Sequence, residues 1–169
     1  MIKTQMLEAL AELGAVCPAE TEVVVIGGAA AILRGWLARA TADIDVAVSQ
    51  PSLATFRRRI SEVAESRGPP EGWLNDGAQA FARVLPPDYT ERLEHAGTFG
   101  HLTVRTISRR DLVLMKLFAM RAEDVQDLNE LVPTREEVEF VRAELPRIAA
   151  FEPKRAHLIE LYLEQGGGT

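Results

Sequence analysis

The chain has 169 residues, 47% hydrophobic and 26% charged, which excludes wholesale disorder and a fibrous repeat and fits one domain with its own core. The 19 Lys and Arg against 25 Asp and Glu leave a net charge of −6, so non-specific coating of nucleic acid is excluded, though a local basic face is not. Cys17 is the only cysteine, and no apolar run approaches the roughly 18 residues that span a bilayer, which points to a cytoplasmic protein with no disulfide, no thiolate metal cluster and no membrane partner.

Met6, Leu7, Leu10 and Leu13 recur at helical spacing, so residues 3–13 read as an amphipathic helix rather than a signal peptide. The β-branched run at 22–26 reads as a buried strand ended by Gly27-Gly28, followed by a helix over 29–37. Residues 43–48 alternate strictly, with Asp43, Asp45 and Ala47 on one face and Ile44, Val46 and Val48 on the other. Ser49 and Pro51 open a helix that runs to about Arg67. Residues 68–80, rich in Gly and Pro, read as a surface loop in which Trp73 anchors to the core or stacks on a base, the anchor being favoured. Strands over 91–96 and 101–107 form a hairpin around Gly97–Gly100. Ser108 caps a helical stretch over 109–131, Thr134 and Glu137 open a helix to about Glu144, and a last helix covers 153–164. The expected architecture is α+β: a small mixed sheet backed by helices, with a helical C-terminal lobe. It is a single unit, with a sheet lobe over 1–107, a helical lobe over 108–165 and a frayed tail over 166–169.

Two constellations carry chemistry. A Gly pair between a strand and a helix lets phosphates approach the backbone and the helix N-terminus, which singles out Gly27 and Gly28. Asp43 and Asp45, two residues apart on a strand, have Cα atoms about 6.6–7 Å apart and can converge on one or two divalent cations. Magnesium suits such a site, because it takes one or two carboxylates plus substrate phosphates. Arg39 and Thr41 lie just ahead of the acids. The blander reading is a tight turn beside the wet face of an edge strand.

The second constellation is Lys116, out of character in an apolar helix, with the string RAEDVQDL at 121–128. In one straight helix Lys116 and Asp127 would share a face but stand about 16.5 Å apart. A break is therefore expected near Arg121–Asp124, with Asp124 capping a second helix. There is no GK[ST] after the glycines, so the chain is not a P-loop protein. Arg57, Arg58 and Arg59 read as a solvated helix face, and the three histidines show no metal-ligand spacing.

VVVIGGAAAIL followed by RATADIDVAV resembles the hG[GS]…Dh[DE]h pattern of the polymerase-β-type nucleotidyltransferases. Lys116 with RAEDVQDL resembles the later motif of AbiEii-like nucleotidyltransferases, the toxin half of toxin–antitoxin pairs, and GWLND at 72–76 is similar to the compact DUF6036 type. The resemblance covers about residues 20–132. It implies a nucleotidyltransferase fold in which Gly27 and Gly28 border the triphosphate, Asp43 and Asp45 hold magnesium, and Lys116 contacts phosphate. Arg39, Thr41, Arg121 and Asp124 would complete the nucleotide site, and the catalytic set would be Asp43, Asp45, Lys116 and Asp127. The implied reaction is nucleotide transfer from a nucleoside triphosphate to a hydroxyl, with RNA, in particular a tRNA 3′ end, as acceptor and an antitoxin protein as partner.

Two departures stand out. Position 28 is Gly where many members have Ser, and the strand HLTVRTI offers Thr103 or Arg105 where the superfamily often has a third carboxylate. The general base therefore stays open among the metal, Asp45 and Asp127. The missing acid also keeps alternatives in view: a nucleotidyltransferase-like binding module without chemistry, or an enzyme that nucleotidylates a protein or a small molecule.

Overall fold

Val23, Val24 and Val25 form the centre of the sheet in the computed structural model, which describes residues 1–166. Here β1 (Thr21–Val25) runs antiparallel to β2 (Ile44–Gln50) and parallel to β5 (Leu102–Thr106). β3 (Leu74–Asn75) adds in parallel outside β2, and β4 (Glu94–Phe99) pairs antiparallel with β5. The order is β3-β2-β1-β5-β4, a mixed five-stranded sheet. Eight α-helices accompany it among the described residues, so the fold is the mixed α/β type expected of a nucleotidyltransferase.

The strict alternation expected over 43–48 breaks at one place. Val24 pairs with Val48 and Val25 with Val46, so Ala47 has no partner and forms a bulge. Ala47 is buried with Ile44 and Val46 instead of sharing the wetter face of Asp45. A bulge bends its strand and re-aims the neighbouring side chains, and this one lies two residues from Asp45.

Helix α1 (Lys3–Val16) buries Met6, Leu10 and Leu13. Helix α2 spans Gly27–Arg34, so it begins at the glycines rather than after them and stops at Gly35, which takes the left-handed conformation. Helix α3 (Leu53–Arg67) buries Phe56, Ile60 and Val63. The expected loop over 68–80 holds β3 and the start of the one-turn α4 (Gln79–Ala82). Trp73 anchors this insert: its side chain is fully buried and its indole N–H donates to the Ile60 carbonyl at 3.1 Å. The first hairpin strand lies three residues later than expected, because Tyr89–Arg92 coils into a 3-10 turn.

The helical stretch over 109–131 is two helices, α5 (Arg109–Ala119) and α6 (Ala122–Leu131). Met120 between them takes a left-handed conformation, with φ of 50°. Residues 111–118 of α5 are all buried, which makes α5 the axis of the helical lobe. Helix α7 (Arg135–Ala149) opens on a capping box between Thr134 and Glu137 and continues past Glu144 through Pro146, where burial of Ile148 holds the last turn. Helix α8 (Pro153–Glu164) packs back on α7. The tail expected over 166–169 lies, from residue 167 on, outside the described residues.

Candidate active site

β1 delivers the chain to Gly27, whose φ of +65° suits a residue without Cβ. Helix α2 starts there with no side chain capping its first amides. Those amides and the helix dipole make that end suited to negative charge. An ideal Cβ on Gly27 would lie 3.8 Å from Asp45 Oδ2, so the glycine backbone and the carboxylate share one space.

Gly28 has a different reason to be glycine. A Cβ there would meet Arg39 Nη2 at 2.8 Å. That guanidinium is not free to yield, because Nε and Nη2 each donate to the Asp127 carboxylate at 2.6 Å. The absent serine at position 28 is therefore matched by an arginine lying over the helix start.

Asp45 is the second residue of β2, and Asp43 sits immediately before that strand. Burial, and then the neighbouring Asp43 charge, push the Asp45 carboxyl up to about 6, against a smaller downward pull from Arg121. Asp43 Oδ2 accepts a hydrogen bond from Asn75 Nδ2 at 3.0 Å. Asn75 stands opposite Asp45 in the parallel β2–β3 pair, and its own Oδ1 accepts from the Gly77 amide at 2.8 Å. The sequence reading missed Asn75 as a site residue. The GWLND string held it, but only the long-range strand pairing reveals its contact.

The chain break at Met120 folds α6 back on α5. Lys116 Nζ then donates to Asp124 Oδ1 at 3.2 Å and to Asp127 Oδ2 at 2.5 Å. All three side chains are at least 97% buried. Asp124 also accepts from the Arg121 amide at 3.2 Å, which caps α6, and from Arg121 Nε at 2.8 Å. Burial alone would raise the Asp127 carboxyl, but the hydrogen bonds from Arg39 and Lys116 outweigh it and hold the group below the usual carboxylate range. Arg39 thus ties the loop ahead of the acids to α6.

A cavity of about 60 Å³ joins these groups, lined by Gly27, Asp45, Lys116, Arg121 and Asp124 on its polar side. Ile26, Ala78, Phe81, Met115 and Ala119 form its apolar side. Of the residues singled out in the sequence, Asp43 does not line this space but its charge acts on Asp45, which does, while Asp127 and Arg39 stand behind Lys116. Thr41 does not line it. The Thr41 amide donates to the Met1 carbonyl at 3.0 Å, and the Met1 ammonium donates to the Thr41 carbonyl.

A magnesium-type cation can be tested against this donor set. Burial and the Asp43 charge raise the cost of ionising Asp45 beside a glycine backbone, which is the situation a hard divalent cation relieves. No third carboxylate joins them: among the described residues no group of three or more His, Cys, Asp or Glu is arranged to hold a metal. Glu22, the acid of β1, pairs in register with Gln50, five positions along β2 from Asp45 and so roughly 17 Å away. Arg105, on the strand where the resemblance leads to the expectation of an acid, bonds Glu22 at 2.9 Å.

A family described as "Nucleotidyltransferase of unknown function (DUF6036)" matches residues 4–145. The chain therefore belongs to that family. No curated protein and no solved structure matches it.

Proposed function

We propose that this DUF6036 nucleotidyltransferase moves a nucleoside monophosphate from a nucleoside triphosphate to a hydroxyl acceptor, with magnesium held by Asp43 and Asp45. The observation that carries this reading is the meeting of Asp45, Gly27 and Arg121 around one cavity, with Asp43 beside them. When bound, the cation supplies charge neutralisation for the phosphates and Lewis acidity. The chain's own groups do the rest. The first amides of α2 face negative charge, and Gly27 leaves room for a phosphate against the backbone. Arg121, held to Asp124 through Nε but with a side chain 64% exposed, brings a positive charge to the same space. Ile26, Met115 and Ala119 exclude water from one side.

In the transfer, the acceptor oxygen bonds to the α-phosphorus, the bond to the bridging β-phosphate oxygen breaks, and pyrophosphate leaves. The hydroxyl proton goes to a carboxylate. Asp127 is saturated by Arg39 and Lys116 and held acidic, so it serves as a positioning group. Asp45 lines the cavity and Asp127 does not, so Asp45 is the carboxylate of the two that an acceptor hydroxyl there can reach. Lys116 positions as well: its ammonium is spent on two carboxylates rather than pointed at phosphate.

We take the acceptor to be RNA, at a 3′ hydroxyl, and the biological role to be that of a toxin held in check by an antitoxin. Both rest on the AbiEii-like motif around Lys116 and RAEDVQDL. The test is a transfer assay with magnesium, each of four labelled nucleoside triphosphates, and total RNA or total cell protein as acceptor. Label on RNA, lost in an Asp43→Asn, Asp45→Asn double variant, supports the transfer and its acceptor. Label on protein keeps the chemistry and replaces the acceptor. No label, with nucleotide binding indifferent to the two acids, overturns the enzyme in favour of a binding module. Growth arrest on expression, relieved by Asp43→Asn, separates a toxin from a housekeeping enzyme.

A further inference from the structure

One aromatic ring stands exposed at the candidate active site. Phe81 is 41% exposed, belongs to the four-residue α4, and lines the same cavity as Asp45 and Gly27. Trp73, the larger aromatic of the same insert, is fully buried and hydrogen-bonded, so it is not available to a ligand.

The guanidinium of Arg121 lies over the Phe81 ring, its central carbon 5.9 Å from the ring centroid. Two planar groups in direct contact stand about 3.5–4 Å apart, and a third planar ring between them needs about 7 Å. The observed 5.9 Å is a cation–π contact measured to the ring centroid, so a base enters only if one of the two groups moves outward. Arg121 is held to Asp124 through Nε at 2.8 Å, so the side that gives is Phe81, on the single-turn α4 in an insert rich in Gly and Pro.

We propose that Phe81 and Arg121 form a clamp for the purine base of the incoming nucleoside triphosphate. The inference rests on the nucleotidyltransferase reading above and names a specificity-determining pair within it. The ring face and the guanidinium both attract a π-system, whatever its sequence of edge atoms. The apolar walls beside them, Ile26, Ala78, Met115 and Ala119, present no side-chain hydrogen-bonding group to a base edge. Recognition is then by stacked area, which a two-ring purine supplies better than a one-ring pyrimidine. The base belongs to the nucleotide rather than the acceptor because Phe81 shares its cavity with Asp45 and Gly27, where the phosphates go.

Calorimetric titration without RNA tests the clamp. Non-hydrolysable analogues of the four nucleoside triphosphates, and inorganic tripolyphosphate, would be added with magnesium to the wild type and to Phe81→Ala, Phe81→Leu and Phe81→Trp. Purine analogues should bind the wild type more tightly than pyrimidine analogues. Phe81→Ala and Phe81→Leu should weaken purine binding about tenfold, within the range known for base–aromatic stacking, and Phe81→Trp should restore it. Tripolyphosphate should bind all four proteins alike, which also shows that the variants fold. Equal purine affinity in the wild type and Phe81→Ala overturns the clamp while leaving the nucleotidyltransferase reading intact. If neither the nucleotides nor tripolyphosphate bind the wild type, the reading of the site itself fails and the clamp fails with it.

Discussion

Two groups of charges stand side by side in this molecule and are treated in opposite ways. Around Lys116 every buried charge is matched: the ammonium has two carboxylates, Asp127 has Arg39 as well, and Asp124 has Arg121 and a backbone amide. At the cavity mouth the account stays open. Asp45 is partly buried beside Asp43, and its carboxyl is raised rather than relieved. The closed group fixes geometry, and the open group is where a ligand has free energy to gain. On the proposed reading, the residues singled out in the sequence divide into those that hold the site and those that would meet substrate.

The largest effect should come from opening the closed group. Lys116→Met leaves Asp124 and Asp127 buried without their shared ammonium. Loss of one partner from a buried ion pair costs about 3–5 kcal/mol. Chemical denaturation should show a loss of that order, and no divalent cation should restore it. A variant within about 1 kcal/mol of the wild type would show that the group is not the rigid anchor described here.

Gly28→Ser tests whether the two groups are mechanically joined. The new side chain would enter the space of Arg39 Nη2, which Asp127 holds in place. Overpacking of this kind costs about 1–3 kcal/mol. Because the strain passes through Arg39, adding Arg39→Ala should remove most of it, so the double variant should be far from additive in the denaturation midpoint. Additive losses would mean that Gly28 is required for another reason.

How much of this was legible before the fold? The Gly pair and the acids were, because a strand-to-helix turn and an i, i+2 spacing are local patterns. So was the break near Arg121: the 16.5 Å that a straight helix would put between Lys116 and Asp127 could not be reconciled with a shared role. The bulge at Ala47 was not, since it arises from pairing with β1. Nor was the role of Asn75, which depends on a two-residue parallel pair between segments thirty positions apart. Phe81 sits in AQAFARVL with no clear period, and only the placement of α4 shows that its ring reaches the cavity. Lys116 was legible as unusual, but its partners were not, because a lysine that grips phosphate and one that grips carboxylates look the same in one dimension.

The smallest effect, and the one with the most specific signature, concerns the open group. Asp45→Asn removes a charge that the fold holds at a cost, so the variant should be more stable than the wild type at pH 7 in the absence of metal, by about 1 kcal/mol once solvent screening is allowed for. The sign follows from the raised carboxyl. A carboxyl held at about 6 in the folded chain, against the ordinary 3.8 of an aspartate, contributes stability below 3.8 and loses it as pH rises through about 6. The advantage of the variant should therefore be full above pH 6 and vanish near pH 4, when measured as the difference between two denaturation curves. Carboxylates with depressed values, such as Asp127, lose their contribution at low pH in both proteins and cancel in that difference. Magnesium should reverse the order at pH 7, stabilising the wild type and leaving Asp45→Asn nearly unmoved. If the variant is instead less stable than the metal-free wild type at pH 7, Asp45 belongs with the closed group, and the contrast between holding charges and meeting charges fails at its central residue.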